Sequence, residues 1–217
     1  MTVSYISPAP PSLSRPGLLQ TADVILALIL LVLLSPLMLA VAALIALESG
    51  GGTPIYGHRR YGKDGRTFLC YKFRSMALDA DARLARLVAH DPAARAEWAR
   101  DHKLRHDPRV TRIGRFIRRT SLDELPQLFN ILRGEMSLVG PRPIVAAEVR
   151  RYGRHFVDYC SVRPGMTGIW QISGRNDIGY RRRVAMDCLM ARRMSPRLYA
   201  EVLIGTARCV VTRQGAY

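Results

Sequence analysis

A 24-residue stretch without a charged side chain, "VILALILLVLLSPLMLAVAALIAL" from Val24 to Leu47, constrains this chain more than any other feature. At about 1.5 Å per residue, a straight helix of this length crosses a bilayer core of roughly 30 Å. The stretch is longer than the apolar core of a signal peptide, and no basic cluster precedes it. A buried helix of a soluble protein is the alternative, but the pattern favours a membrane helix.

The dipeptide Ser35-Pro36 interrupts this stretch near its middle. Because proline has no N–H group, the carbonyl of Val32 loses its helical partner, and the proline ring crowds the same turn. A bare carbonyl is costly in hydrocarbon, and the Ser35 hydroxyl is a substitute donor within reach. The residues therefore leave two topologies open: a kinked helix that spans the membrane, or a re-entrant hairpin that returns to the same face.

Basic residues are numerous and unevenly placed. The net charge is +16, yet residues 1–47 contain only Arg15 and Asp23 as charged residues. All but three of the 33 basic residues are arginines, whose planar guanidinium groups bind two phosphate oxygens at once. Such a surface suits nucleic acid, nucleotides or an anionic membrane face, although an arginine-rich composition alone would also produce it. Because the basic residues follow the apolar stretch, the positive-inside rule places the main domain in the cytosol.

The sequence divides into three segments. Residues 1–20 are rich in proline and serine and predict a disordered tail, residues 21–48 form the membrane segment, and residues 49–217 form the cytosolic domain. The four cysteines lack the short spacing of a zinc site or a redox motif, so we interpret them as reduced. They are Cys70, Cys160, Cys188 and Cys209.

Local patterns predict secondary structure in the cytosolic domain. Asp64-Gly65, between two runs of alternating apolar and polar residues, predicts the tight turn of a β-hairpin. Residues 79–105 are expected to be helical, with a break near Asp91-Pro92. Asp107-Pro108 predicts the start of the next helix, because an acid can cap it and proline suits its first position. Four apolar side chains should form the buried stripe of this helix: Val110, Ile113, Phe116 and Ile117.

The segment "RRTSLDELPQLFN", residues 118–130, places two adjacent acids directly behind a run of arginines. Its simplest interpretation is a capping box, in which Ser121 and Glu124 bond free backbone N–H groups. Since Pro126 is tolerated only in a first helical turn, Asp123 should lie at or beside a helix N-terminus. The dipole and nearby arginines would keep Asp123 ionised, as a carboxylate nucleophile requires, while Glu124 could hold a divalent cation. The residues alone indicate either a structural helix start or a phosphoryl-transfer site.

Two further segments carry basic residues in stiff loops. "GEMSLVGPRP" places Arg142 between two prolines, and "VRPGMTGIWQISGRN" carries Arg163 and Arg175. With the apolar stretch, "YKFRSM" and "RRTSLDELPQLFN", they make five blocks in the order of a known family. On these blocks the chain resembles the bacterial sugar transferases, or monotopic phosphoglycosyl transferases, over nearly its whole length after residue 20.

The resemblance implies a reaction and a set of residues. Asp123 would attack the sugar-linked phosphate of a UDP-sugar, release UMP and form a phosphosugar–aspartate intermediate. Undecaprenyl phosphate would then take the hexose 1-phosphate, which initiates exopolysaccharide or glycan assembly. Asp123 and Glu124 would be the catalytic pair and would bind Mg²⁺. Substrate contacts are assigned to seven residues: Lys72, Arg74, Arg118, Arg142, Pro143, Arg175 and Asp187.

The resemblance also implies an architecture. The expected fold class is α+β and mainly helical: a monotopic membrane protein with an N-terminal re-entrant helix hairpin broken at Ser35 and Pro36, a small β-hairpin and amphipathic interfacial helices. The last helix, about residues 196–213, is one interfacial candidate. Tyr199 within it stands where relatives commonly carry an acid, which leaves its contacts open. The protein would lie in the bacterial inner membrane, contact inner-membrane lipids, face the cytosol and bind no nucleic acid, and a homodimer is reasonable.

Two other functions stay open at this level. The charge of +16 is also consistent with a non-catalytic, membrane-tethered protein that binds anionic lipid or nucleic acid. Against it, the sequence shows no helix-turn-helix, RNA-binding or zinc-finger pattern, and aromatic residues do not interleave the basic runs. A scaffold subunit of a polysaccharide export complex is the third hypothesis. The sugar is also undecided among galactose, glucose and an N-acetylated hexose.

Overall fold

A computed structural model describes residues 17–101, 104, 106–174 and 178–212 of the chain. Within those residues the fold is mostly helical, with ten α-helices, two pairs of short strands and three 3-10 turns. The chain forms two compact units. Among the described residues, the first unit consists of the chain up to Ser35, Gly57–Lys72 and the chain from Pro126 onward. The second unit consists of Pro36–Tyr56 and Phe73–Leu125.

Helix α1, Leu18–Glu48, contains the whole apolar stretch. Among the described residues it is the one helix long and apolar enough to cross a membrane. The Ser35 hydroxyl donates to the Val32 carbonyl at 2.9 Å, so the predicted substitute for the missing N–H group of Pro36 is confirmed. The structure describes α1 as one helix through this point, and a re-entrant reversal stays a prediction. Helix α1 begins inside the segment assigned to the tail, whose residues 1–16 lie outside the described part.

The predicted β-hairpin is confirmed. Strand β1, Ile55–Tyr61, and strand β2, Thr67–Phe73, form a two-stranded sheet and are joined by the 3-10 turn Lys63–Gly65. Asp64 and Gly65 have φ angles of 58° and 70°, the positive values for which this dipeptide is suited.

Besides the part of α1 from Pro36 onward, the second unit contains three whole α-helices among the described residues: α2 (Ala80–His90), α3 (Pro92–Asp101) and α4 (Arg112–Arg119). The predicted break lies between α2 and α3. Asp91 accounts for it, because its carboxylate oxygen Oδ1 accepts hydrogen bonds from the backbone N–H groups of Ala93 at 2.8 Å and Ala94 at 3.1 Å.

The predicted start of the next helix was wrong. Helix α4 begins at Arg112, and its cap is Thr111, whose hydroxyl accepts from the N–H of Gly114 at 2.9 Å. The Asp107 carboxylate binds Arg109 instead, through its guanidinium at 2.7 Å and its backbone N–H at 3.0 Å. A charged guanidinium is the stronger partner, so the acid turns toward it and caps no helix.

The buried stripe predicted for this helix is confirmed only in part. Ile117 is fully buried, whereas 51% of the Phe116 side chain is exposed.

The first unit is built around α5 (Gln127–Leu132) and two parallel strands, β3 (Ser137–Val139) and β4 (Gly165–Thr167). Its core contains Leu128, Ile131, Leu138, Met190 and Val202, with Ala27 of α1 among them. The remaining helices of this unit are α6 (Ala146–Tyr152), α7 (Phe156–Cys160), α8 (Ile169–Ile172), α9 (Tyr180–Arg193) and α10 (Pro196–Thr212).

A buried carboxylate joins three elements of the first unit. Asp23 of α1 is 4% exposed, and its Oδ1 accepts hydrogen bonds from the N–H of Leu138 at 2.8 Å and the hydroxyl of Tyr199 at 2.6 Å. Helix α1 is thereby fastened to β3 and α10, which gives Tyr199 a role that the sequence left open. All four cysteines are free, as predicted.

Candidate active site

The acidic pair lies in the 3-10 turn Leu122–Glu124, directly after α4. Ser121 turns the chain there with a left-handed φ of 57°, and its side chain makes no capping bond. The N–H of Glu124 donates to the Ser121 carbonyl at 3.3 Å. The capping-box interpretation was therefore wrong, because the first residue of a capping box has an extended backbone that Ser121 does not adopt.

The position of Asp123 beside a helix start is confirmed, since α5 begins four residues later, after Pro126. The backbone at this point is also strained. A non-glycine residue in the left-handed region costs about 1–2 kcal/mol, and such residues cluster at functional sites. Ser121 is one of two such residues in the described chain, the other being Asp64 in the hairpin turn. The strain at Ser121 is thus a second observation that indicates a functional site at the acidic pair.

Arg118 is the basic residue that the structure places with Asp123. Its Nε donates to the hydroxyl of Ser75 at 2.8 Å, which directs the guanidinium, and the carboxylates of Asp123 and Asp107 lie within its electrostatic reach. Asp123 and Glu124 are half-buried, so both remain accessible to a ligand. The second unit thus combines two adjacent carboxylates with a positioned cation.

Arg74, also in the second unit, has partners within the protein. Its Nε donates to the Thr53 carbonyl at 2.8 Å, its Nη2 donates to the Thr53 hydroxyl at 2.7 Å, and its guanidinium lies 5.7 Å from the centre of the Tyr56 ring. These contacts hold the chain that precedes β1. A role of Arg74 in substrate binding stays a prediction.

Arg142 lies in the loop that follows β3 in the first unit. The parallel register, with Ser137 opposite Gly165 and Val139 opposite Thr167, brings this loop beside β4. The approach is so close that a methyl group at Gly165 would overlap the backbone of Gly140. The two stiff loops predicted from the sequence therefore meet, and the buried Pro143 accepts a hydrogen bond from Arg60 at 3.1 Å on its carbonyl.

Asp187 is a buried acid that contacts the backbone of this loop at Arg142. It is 1% exposed, its Oδ2 accepts from the hydroxyl of Tyr152 at 2.6 Å, and it also interacts with the backbone N–H of Arg142. Burial raises the pKa of Asp187 to about 7, while the hydrogen bonds from Tyr152 and Arg142 oppose that rise. A carboxyl so deeply buried is suited to positioning Arg142, and its contact with a substrate stays a prediction.

Basic side chains gather around Arg142. The guanidinium groups of Arg142 and Arg183 lie 5.7 and 4.7 Å from the centre of the Trp170 ring. Burial, followed by the positive charge of Arg142, lowers the pKa of both Arg60 and Arg183. Among the described residues, Glu148 forms an ion pair with Arg60 at 3.6 Å.

Lys72 extends this group at the end of β2. Partial burial, then the charges of Arg60 and Lys72, lowers the pKa of His58. We call Arg60, Lys72, Arg142 and Arg183 the cation cluster. Like charges repel in the absence of an anion, so their assembly in one unit is typical of a site that binds phosphate. Sequence reasoning missed Arg60 and Arg183, because neither lies in a recognisable motif.

The structure thus brings the predicted residues together in two groups. Arg118, Asp123 and Glu124 belong to the second unit, and Lys72, Arg142, Pro143 and Asp187 belong to the first. Arg175, which was predicted to contact the substrate, lies outside the described residues.

Comparison with known proteins decides the family. The model of the bacterial sugar transferase family matches residues 16–213. The chain belongs to this family. It is 49% identical over 198 residues to the undecaprenyl-phosphate galactose phosphotransferase of Salmonella typhimurium, which covers 91% of this chain and 41% of that protein.

Two other relatives show how far the likeness extends. The UDP-galactose-lipid carrier transferase of Erwinia amylovora is also 49% identical, over 91% of this chain and 41% of its own length. The exopolysaccharide production protein ExoY of Rhizobium meliloti is 47% identical over 200 residues, which cover 91% of this chain and 87% of ExoY. The chain therefore spans about two fifths of the first two family members named here and most of ExoY.

Proposed function

We propose that this protein is a phosphoglycosyl transferase that moves hexose 1-phosphate from a UDP-sugar to undecaprenyl phosphate and so initiates exopolysaccharide assembly. Family membership and the names of the relatives support this activity. The observation that carries it is the half-buried Asp123, which lies within electrostatic reach of Arg118 and two residues after the strained Ser121. Two relatives at 49% identity are named for galactose, which makes UDP-galactose the first donor to test.

The reaction consists of two displacements at one phosphorus atom. A carboxylate oxygen of Asp123 attacks the sugar-bearing phosphorus, the bond from that phosphorus to the bridging oxygen breaks, and UMP leaves with the electron pair. The product is an acyl phosphate that links the sugar phosphate to Asp123. A phosphate oxygen of undecaprenyl phosphate then attacks the same phosphorus, and Asp123 leaves as a carboxylate.

The basic residues stabilise the charges of this reaction. Arg118 places a positive charge within electrostatic reach of the Asp123 carboxylate, which is the proposed nucleophile. The cation cluster is assigned to the phosphate oxygens of the substrates, because phosphoryl transfer depends chiefly on positioning and on neutralising these oxygens. Asp187 keeps the Arg142 loop in place for this contact.

Asp123 and Glu124 also fit a magnesium ion by their chemistry. Two adjacent, half-buried carboxylates in one 3-10 turn supply the hard oxygen ligands that Mg²⁺ prefers. When bound, the ion would neutralise negative charge on the phosphates. Glu124 is the main ligand in this proposal, since Asp123 must also serve as the nucleophile.

We assign α1 to the cytosolic leaflet of the inner membrane as a re-entrant helix that turns at Ser35 and Pro36. The Ser35 bond to Val32 supports this assignment, because it satisfies the carbonyl that a turn in hydrocarbon would otherwise leave bare.

Helix α4 is assigned to the lipid headgroups. The Glu48 carboxylate, at the end of α1, accepts hydrogen bonds from the N–H groups of Arg112 at 2.9 Å and Ile113 at 3.3 Å, so α4 begins where the apolar helix ends. Its arginines and the exposed Phe116 are suited to an anionic membrane surface.

The test is UMP release by the full chain in detergent or nanodiscs, with undecaprenyl phosphate and a panel of UDP-sugars. Asp123→Asn is expected to lower turnover by at least about 10³-fold, because an amide cannot be the nucleophile. Asp81→Asn is the matched control, since Asp81 is an exposed acid of the same unit. Its turnover should equal that of the wild type.

A labelled donor without acceptor should leave the sugar phosphate on the peptide that contains Asp123. Turnover of Asp123→Asn at the wild-type rate, or a label on another residue, would overturn the nucleophile assignment. If no UDP-sugar releases UMP and the protein binds DNA with steep salt dependence, the non-catalytic binder would be the better description.

A further inference from the structure

Three side chains able to bind metal lie together in the first unit, and none has a part in the proposed transfer reaction. His155 precedes α7, Asp158 lies on α7, and Cys188 lies on α9. One ligand atom from each lies within 4.8 Å of the other two. Cys188 is 7% exposed and the other two residues are half-buried, so the cluster is partly shielded from water.

The spacing of two of these atoms suits a shared ion. His155 Nδ1 and Asp158 Oδ2 are 3.4 Å apart, which is longer than a usual N–H···O hydrogen bond. If both atoms were about 2.1 Å from one metal ion, this separation would correspond to an angle of about 108° at the ion. That angle is close to tetrahedral, and zinc sites are almost always tetrahedral.

Arg192 also binds this carboxylate, and its position is compatible with a metal. Its Nε donates to Asp158 Oδ1 at 3.1 Å and its Nη2 donates to Oδ2 at 2.8 Å. Each carboxylate oxygen accepts in more than one direction, so Oδ2 keeps capacity toward His155. Carboxylates that bind metal are commonly hydrogen-bonded by an outer partner that orients them, which is the role Arg192 can fill.

We propose that His155, Asp158 and Cys188 bind a zinc ion that clamps α7 to α9. The donor set of one imidazole nitrogen, one carboxylate oxygen and one thiolate is borderline-soft, as zinc prefers, and water completes the tetrahedron. The ion takes the place of the proton between His155 Nδ1 and Asp158: that proton leaves to solvent, and the neutral imidazole carries its remaining proton on Nε2. Cys188 releases its thiol proton to solvent when the Zn–S bond forms.

The state of Cys188 without metal is consistent with this exchange. Burial, followed by the negative charges of Asp158 and Asp187, raises the pKa of its thiol, so the thiol is protonated at neutral pH. A divalent cation between Cys188 and Asp158 reverses this electrostatic balance. Because zinc binds the thiolate and displaces the thiol proton, zinc binding should strengthen as pH rises.

Cobalt is the most direct probe, because it substitutes for zinc and its absorption reports thiolate ligation. The full chain, free of any polyhistidine tag and purified in detergent, should bind one equivalent of Co²⁺ and show sulfur-to-cobalt charge-transfer absorption. Zinc should displace the cobalt and abolish this band. Cys188→Ser should remove the band, and His155→Ala should weaken zinc binding at least about tenfold.

Cys209→Ser is the matched control, because Cys209 is a half-buried free cysteine outside the cluster. It should bind both metals as the wild type does. The proposal fails if the wild-type chain shows no thiolate band, or if the band persists in Cys188→Ser. The first of these results needs no variant, so it holds even if a substitution disturbs folding.

Discussion

Asn130→Asp is expected to destabilise the first unit, because Asn130 uses its amide as both donor and acceptor. The side chain is fully buried. Its Oδ1 accepts from the N–H of Tyr71 at 2.9 Å, and its Nδ2 donates to the Leu69 carbonyl at 2.7 Å and to Glu135 Oε2 at 2.6 Å. Its bonds to Tyr71 and Leu69 hold β2 to α5. Aspartate has nearly the same shape, so the change tests hydrogen bonding rather than packing.

The magnitude follows from the two donors that aspartate lacks. A lost hydrogen bond to a neutral carbonyl costs about 1 kcal/mol, and one to a charged group about 1.5–3 kcal/mol. The new carboxylate would also face Glu135 at hydrogen-bonding distance, where two negative charges repel. A loss of about 4 kcal/mol is therefore expected. In a chain of this size that corresponds to a fall of about 8–16 °C in the thermal midpoint.

Thermal unfolding in detergent can be followed with a thiol-reactive dye, because Cys70 on β2 is 2% exposed and becomes reactive when the unit opens. The matched variant is Asn130→Asp with Glu135→Gln, in which the new amide can donate to the new carboxylate. It should recover about half of the lost midpoint, whereas Glu135→Gln alone should shift it little. A midpoint of Asn130→Asp within about 2 °C of the wild type would refute this reasoning.

Two further changes test buried acids of the first unit. Tyr199→Phe removes the hydroxyl that donates to the Asp23 carboxylate at 2.6 Å, so the midpoint should fall by about 3–12 °C, and an unchanged midpoint would show that this bond contributes nothing. Asp187→Asn removes a carboxyl whose pKa burial raises to about 7. Because the folded protein retains this proton to higher pH than the unfolded chain, the wild-type free energy of unfolding should fall as pH rises from about 4 through 7. Unfolding measured between about pH 5 and 7.5 should show a weaker slope in the variant, and equal slopes would contradict the assignment.

Features whose causes are local in sequence were predictable. Asp64-Gly65 forms the hairpin turn because these two residues tolerate positive φ angles. The break at Asp91-Pro92 follows from a side chain that caps the first turn of α3 and a proline that lacks an N–H group. The Ser35 bond to Val32 is equally local, since donor and acceptor are three residues apart. In each case the chain within a few residues contains both partners.

Predictions of helix starts failed where a competing partner was available. Asp107 suits a cap, but Arg109 two residues later offers a charged, bidentate partner. Ser121 suits a capping box, but its left-handed backbone directs its side chain away from that role. The same residue types occur whether the side chain caps a helix or does not, so sequence alone does not distinguish these two outcomes.

The site was predictable in its motifs and unpredictable in its surroundings. Arg60 and Arg183 join the cation cluster only through the folded chain, since Arg60 bonds Pro143 and Arg183 packs on Trp170. Asp23 and Tyr199 are 176 residues apart, and no periodicity in either segment indicates that they meet. Such contacts depend on tertiary packing, which a pattern within one segment does not encode.

The segment at residues 118–130 combines two tasks, one chemical and one structural. The boundary between the units falls between Leu125 and Pro126. Arg118 and Asp123, before this boundary, supply charge in the second unit, whereas Asn130, after it, fastens α5 to β2 in the first. A change at Asp123 should therefore abolish transfer and lower the thermal midpoint less than Asn130→Asp does. A large loss of stability in Asp123→Asn would contradict this division between chemistry and anchoring.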